Sequence, residues 1–131
     1  MRAIREDEVT FTLTAEDEDI PVRGNAMASG DPDLDKRVED GIIERLDGGD
    51  IWAWCYVRVT ARLTLPDGSW FEGTDGLGGC SYHDQSDFME SGGYYDDMKT
   101  RALEDLQEKI ETAVKRGVIL AVVFADAEVV S

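Results

Sequence analysis

The segment from Cys80 to Asp84 places a thiol, an imidazole and a carboxylate within five residues of one another. A thiolate beside an imidazole can act as a nucleophile with its base, and the same groups could supply half of a metal site. A thiol enzyme usually takes its histidine from a distant part of the fold, whereas His83 is the single histidine of this chain. A small enzyme or ligand-binding domain that uses the loop between Gly73 and Gly93, with Cys80 and His83, is therefore an alternative interpretation.

Two further patterns suggest metal or phosphate binding but fail on their details. Asp31, Asp33 and Asp35 alternate like the opening of a calcium loop, yet the sixth position is Lys36 and the twelfth is Ile42, where such a loop needs glycine and glutamate. The glycines at 76, 78 and 79 do not fit the dinucleotide fingerprint, and tight turns or close backbone approach explain them better. We expect no metal, no cofactor and no catalytic residue.

Carboxylates are the most abundant chemical group of the chain, with 29 acidic residues against 13 basic ones and a net charge of -16. Repulsion on this scale excludes direct binding of nucleic acid or of an anionic membrane and favours a basic protein partner, such as a nucleic-acid-binding enzyme. Solubility alone, or adaptation to high salt, would produce the same composition.

The second predicted helix carries four of these carboxylates opposite its apolar stripe: Asp97, Glu104, Glu108 and Glu111. At about 100° per residue they lie within about 60° of one another, and we call them the acidic ridge. Spacings of about 5 to 11 Å resemble those of successive phosphates, so the ridge could occupy a groove meant for DNA or RNA. An ordinary solvated helix face is the simpler interpretation. Four acids ahead of the ridge could extend it: Asp84, Asp87, Glu90 and Asp96.

The length of 131 residues predicts one acidic domain over residues 1–131, and the 42% hydrophobic content is that of a chain that folds. The first residues lack the apolar core of a secretion signal, and no apolar run reaches membrane-spanning length, so we expect a cytoplasmic protein. Cys55 and Cys80 are too few for a disulfide scaffold and are expected to be free thiols, Cys55 as a small buried hydrophobe.

Hydrophobic periodicity predicts an α+β fold with the order strand, helix, strand, strand, helix, strand. The expected architecture is a small, mostly antiparallel sheet with two helices packed on one face. Residues 73–93 are predicted as an ordered loop or broken strand with a short helical turn. The predicted elements are strands at Val9 to Thr14, Ile51 to Leu65, Ser69 to Gly73 and Val118 to Phe124, and helices at Pro32 to Asp47 and Tyr94 to Lys115.

Four short segments carry a resemblance: GNAMASG at 24–30, DIWAW at 50–54, LGGCSY at 77–82 and GYYDDM at 93–98. Together they make the chain from Gly24 to Leu106 resemble small acidic proteins of phages and mobile elements, most of which have no assigned activity. Proteins of this kind often inhibit host defence proteins or other nucleic-acid enzymes. The resemblance therefore implies a DNA mimic with an anti-defence role, and it carries over no catalytic residues.

Overall fold

The computed structural model describes residues 2–117, which form a three-stranded antiparallel sheet in the order β1-β2-β3 and three α-helices. The predicted α+β class and antiparallel sheet are confirmed. The elements are β1 (Thr10–Glu16), α1 (Pro32–Asp47), β2 (Cys55–Thr64), β3 (Trp70–Cys80), α2 (Gln85–Glu90) and α3 (Tyr94–Lys115), with 3-10 turns at Glu6–Glu8 and Ile51–Ala53.

The order of the elements and the packing of the helices differ in part from the prediction. The separate helix α2 stands between β3 and α3, and the predicted strand from Val118 to Phe124 lies outside the described residues. Ile42, buried on α1, packs in a cluster with Val22, Ala53 and Trp54, which lie outside the strands. The arrangement of two helices on one face of the sheet is therefore not fully matched.

The central strand β2 has the alternation that the sequence indicates, because Cys55, Val57, Val59, Ala61 and Leu63 are all buried. It begins at Cys55 rather than at Ile51, and that part of the prediction is wrong. The residues before it form a 3-10 turn, in which the Ala53 amide donates to the Asp50 carbonyl and the Trp54 amide to the Ile51 carbonyl. Trp54 is consequently buried in the apolar cluster rather than being part of the strand.

Strand β3 runs well beyond the predicted hairpin arm from Ser69 to Gly73 and ends at Cys80. Pro66, Asp67 and Gly68 form the predicted turn, in which Gly68 has a φ of 89° and donates its amide to the Leu65 carbonyl. The glycines of residues 73–79 therefore belong to a strand. Of the two predicted alternatives, the broken strand agrees better with the structure than the ordered loop.

The chain divides into two compact units, each of which contains part of every strand. In the first unit (described residues 2–12, 59–75 and 97–117), α3 lies directly over β3. A side chain at Gly73 would overlap the Ala102 carbonyl oxygen and the Leu106 amide nitrogen, and the Thr74 amide donates to an Asp105 carboxylate oxygen at 2.9 Å. The prediction of one domain over the whole chain stays a prediction.

The second unit (residues 13–58 and 76–96) is built around α1, which begins as predicted with Asp31 as its N-cap and Pro32 in its first turn. Glu39 is buried on α1 and accepts hydrogen bonds from the Gly24 amide and the Arg23 guanidinium. Here too a carboxylate meets the backbone of β3, because the Gly79 amide donates to Glu18 at 2.6 Å. Buried or bridging acids thus fix loops and strands in both units.

Candidate protein-binding surface

Helix α3 separates an apolar stripe from the acidic ridge, as the sequence predicts. Its buried residues are Met98, Ala102, Leu106, Ile110 and Ala113. On the opposite side Asp97, Glu104 and Glu108 are exposed, and Glu111 is half-buried. The helix therefore presents its ridge to solvent while its stripe packs inward.

Three of the four cations of α3 are bound to acids outside the ridge. Arg101 contacts Asp75 at 3.4 Å and Lys109 contacts Asp105 at 2.9 Å. The Lys99 ammonium lies 3.8 Å from Glu6, and 5.8 Å from the centre of the Phe11 ring.

No salt bridge from within residues 2–117 reaches Asp97, Glu104 or Glu108. Lys115 is exposed and lies one helical turn after Glu111, so the ridge ends next to a cation at the C-terminus of α3. Within these residues, Asp97, Glu104 and Glu108 therefore have no cationic partner at salt-bridge distance.

Glu111 differs from the other ridge residues because it belongs to an internal hydrogen-bond network. Its Oε1 accepts from the Gln107 amide group, which also donates to the Arg2 carbonyl, while the Gln107 Oε1 accepts from the Ile4 amide. This network attaches the N-terminal segment to α3. Asp97, Glu104 and Glu108 are consequently the ridge carboxylates best placed to meet a partner.

Two of the four predicted extensions of the ridge maintain the local fold. Asp84 caps α2 by accepting from the Asp87 amide at 2.8 Å. Asp87 accepts from the His83 amide at 2.8 Å and from the Ser91 hydroxyl at 2.9 Å, and these bonds hold the pKa of the Asp87 carboxyl below its usual value. Neither carboxylate can turn to a partner without losing bonds that stabilise α2.

Glu90 and Asp96, the other two predicted extensions, are exposed. Asp96 makes further interactions within the chain. On α3 it lies about 100° around the helix axis from Asp97 and about 60° from Glu111, so it lies beside the ridge rather than within it. A contribution of these two acids to partner binding stays a prediction.

The thiol and the imidazole of the alternative site have very different environments. Cys80 is 4% exposed, and its Sγ donates to the Leu77 carbonyl at 3.3 Å. Burial, with the nearby charge of Glu18, raises the pKa of the Cys80 thiol to about 11, and burial raises that of Cys55 to about 12. His83 is exposed and engages α2 through its backbone amide. The Cys80 thiol is therefore protonated at neutral pH, which disfavours a nucleophilic role.

A cleft of about 320 Å³ lies beside Cys80 in the second unit. Trp54, Tyr82 and Tyr94 contribute aromatic surface, and the rest of the lining is Asn25, Ala26, Leu77, Gly78, Gly79, Cys80 and Ser81. Gly79 has a φ of 64°, which favours glycine, and a side chain at Gly78 would press against the Glu18 carboxylate, whose nearest oxygen would lie 2.9 Å away. Residue types alone do not reveal this cleft, although the dense glycines beside aromatic residues indicate the region.

Within residues 2–117, no group of three His, Cys, Asp or Glu side chains is placed to hold a metal ion. None of the helices described is long and apolar enough to cross a membrane. Comparison with known protein families, with characterised proteins and with solved structures finds no match to this chain. The resemblance to acidic proteins of phages and mobile elements therefore stays a prediction.

Proposed function

We propose that this protein is an acidic inhibitor that binds a basic, nucleic-acid-handling protein by presenting carboxylates in place of phosphates. The observation that supports this most directly is the pattern of salt bridges made by the cations of α3. Three of the four helix cations contact Asp75, Asp105 and Glu6, and three ridge carboxylates stay exposed without a salt bridge from the described residues. Such a surface keeps its full charge for a partner.

The geometry of the ridge suits a groove that accepts a nucleic-acid backbone. With a rise of 1.5 Å per residue, Asp97 and Glu104 lie about 10 Å apart along the axis, and Glu104 and Glu108 about 6 Å apart. The side chains project from a rigid helix that is fixed to β3 near Gly73, so binding costs little backbone order. Charges held at fixed spacing favour a partner whose cations are themselves arranged for phosphates.

The cellular setting follows from the same chemistry. Cys55 and Cys80 are both free and buried, as expected for a protein of a reducing compartment, and we propose that it acts in the cytoplasm. A net charge of -16 would draw a basic partner at a raised association rate. A host defence nuclease is a partner that an inhibitor from a phage or mobile element would meet there.

The experiment compares two variants that carry the same net charge. Asp97→Asn/Glu104→Gln/Glu108→Gln neutralises the exposed ridge, and Asp17→Asn/Asp19→Asn/Glu44→Gln removes three exposed charges elsewhere. Each protein is immobilised and exposed to bacterial lysate, and retained proteins are eluted first with duplex DNA and then with salt. We expect duplex DNA to displace a basic nucleic-acid-binding protein, because both ligands occupy the same groove.

Affinity for the captured protein is then measured with each variant. The ridge variant should bind at least tenfold more weakly, a loss of about 1.4 kcal/mol, and with a smaller salt dependence, while the control should stay within about twofold of the wild type. Equal affinity of the two variants would remove the ridge from the proposal. If nothing is retained, and stability instead rises strongly in molar salt, the acidity is an adaptation to salt.

A second candidate function is ligand binding in the cleft beside Cys80, which the aromatic lining favours. Trp54 is fixed there, since its indole nitrogen donates to the Ile20 carbonyl at 2.7 Å, whereas Tyr94 is 48% exposed and could cover a bound ring. A thermal-shift screen of small planar compounds tests this function. A compound that stabilises the wild type but not Tyr94→Ala would support the cleft, and a screen without such a compound would exclude that ligand class.

A further inference from the structure

The outer face of the sheet in the first unit points away from α3. Successive strand residues point to opposite faces, so Glu72 points away from the helix that covers Gly73. On β2, Thr60 and Arg62 likewise alternate with buried Val59 and Ala61. A hollow of about 510 Å³ lies on this face, and we call it the threonine hollow; its lining residues are Thr10, Thr12, Thr60, Arg62 and Glu72.

Trp70 lies next to the threonine hollow and is 55% exposed, the largest exposed fraction among the big hydrophobic side chains of the described residues. The Arg62 guanidinium lies 4.7 Å from the centre of its ring, and the Arg62 Nε donates to Glu72 at 2.7 Å. The indole is therefore held beside the hollow by a cation–π contact rather than free to fold away. An ordered, exposed tryptophan next to a hollow is typical of the centre of a protein interface.

The charge of this face sets it apart from the chain as a whole. Arg62 and Glu72 neutralise each other, and the remaining lining is uncharged threonine, although the whole chain carries -16. Two copies that approach through this face therefore meet less repulsion than through the ridge. One cation and one anion are also self-complementary under a twofold axis, on which the Arg62–Glu72 pair of each copy can face that of the other with opposite charges adjacent.

We propose that the threonine hollow is an interface between two copies of this chain, in which Trp70 of each copy enters the hollow of the other. The inference is independent of the proposed inhibitory function. Because α3 covers the opposite face of the sheet, the pair would leave both acidic ridges exposed. A partner with two basic grooves could then be bound bivalently, which raises the overall affinity without a new contact.

Sedimentation velocity of the full chain, over protein concentrations up to about 1 mM, tests the proposal. We expect reversible dimers whose fraction rises with concentration and also rises from about 50 mM to about 500 mM NaCl, because salt screens the repulsion of the two chains. Trp70→Ala should weaken the association at least tenfold. Thr12→Glu places a charge in the hollow and should also weaken it, whereas Thr112→Glu adds the same charge on exposed α3 and should leave the association near that of the wild type.

Charge exchange distinguishes a lost interface from a damaged fold. Arg62→Glu and Glu72→Arg should each be monomeric alone, since each brings like charges together on the twofold axis. An equimolar mixture of the two variants should form heterodimers, and circular dichroism confirms that both are folded. A wild type that stays monomeric at every concentration and salt would overturn the proposal, as would equal association of Thr12→Glu and Thr112→Glu.

Discussion

The close packing of α3 on β3 predicts that a single methyl group added at Gly73 disrupts the fold. An added Cβ at this position would lie 2.7 Å from the Leu106 Cα and would overlap the Ala102 carbonyl oxygen and the Leu106 amide nitrogen. All three obstructing atoms belong to the backbone of α3, so no side-chain rotation can relieve the overlap. The helix would have to move away from the strand or tilt.

Overpacking of a well-filled core costs about 1 to 3 kcal/mol, and obstruction by backbone places Gly73→Ala at the upper end, at about 3 kcal/mol. Movement of the helix would also weaken the bond from the Thr74 amide to Asp105. For a chain of this length such a loss lowers the melting temperature by roughly 10 °C.

Urea unfolding followed by tryptophan fluorescence measures the effect, because the chain has three tryptophans. Gly41→Ala is the matched control: it makes the same substitution on exposed α1, where an added Cβ meets nothing within 4 Å. Alanine is the better helix former, so the control should raise the free energy of unfolding by about 0.5–1 kcal/mol. If Gly73→Ala unfolds within about 0.5 kcal/mol of the wild type, α3 does not lie on β3 as described, and the support for a rigid ridge fails with it.

Two further predictions concern ionisable groups. Alkylation of Cys80 by iodoacetamide at pH 7.5 should be at least about 100-fold slower than that of an exposed thiol, since burial raises its pKa to about 11; rapid labelling of the folded chain would restore the nucleophile hypothesis. Arg2 holds the pKa of the Glu8 carboxyl at about 2, below its ordinary 4.5, through hydrogen bonds of 2.6 and 2.7 Å. The resulting stability is present above pH 4.5 and is lost toward pH 2, so Arg2→Ala should cost about 1–2 kcal/mol at pH 6, and urea unfolding should show this difference shrinking as the pH falls. A difference in unfolding free energy between the wild type and Arg2→Ala that does not change with pH would contradict the assigned role of the Arg2–Glu8 pair.

Local signals in the sequence predicted α1 and α3 closely. Asp31 and Pro32 mark the start of α1 because capping and proline geometry act within one turn. The spacing from Met98 to Ala113 identified the buried stripe of α3 and, on its other side, the ridge. These features depend on residues that are neighbours in the chain, which is why they can be read without the fold.

Strand β3 could not be predicted in full, because its glycines respond to contacts with distant residues. A side chain at Gly76 would overlap the Tyr56 hydroxyl, and one at Gly73 would overlap α3. Low intrinsic β-propensity made the segment resemble a loop, while tertiary packing made it a strand. The sequence also did not predict that Trp54 is buried or that Asp87 accepts a hydrogen bond from the His83 amide. Both features depend on partners that the local pattern does not specify.

The acids that bind the backbone of β3 have a consequence for solubility. Within residues 2–117 the strand order β1-β2-β3 makes this strand an outer one, and its Thr74 and Gly79 amides are occupied by Asp105 and Glu18. An outer strand with unoccupied amides is a template for pairing with another chain, whereas a carboxylate on the amide both fills the bond and repels an incoming strand. Two carboxylates of this protein thus bind its own sheet, so part of its acidity serves the fold rather than a partner.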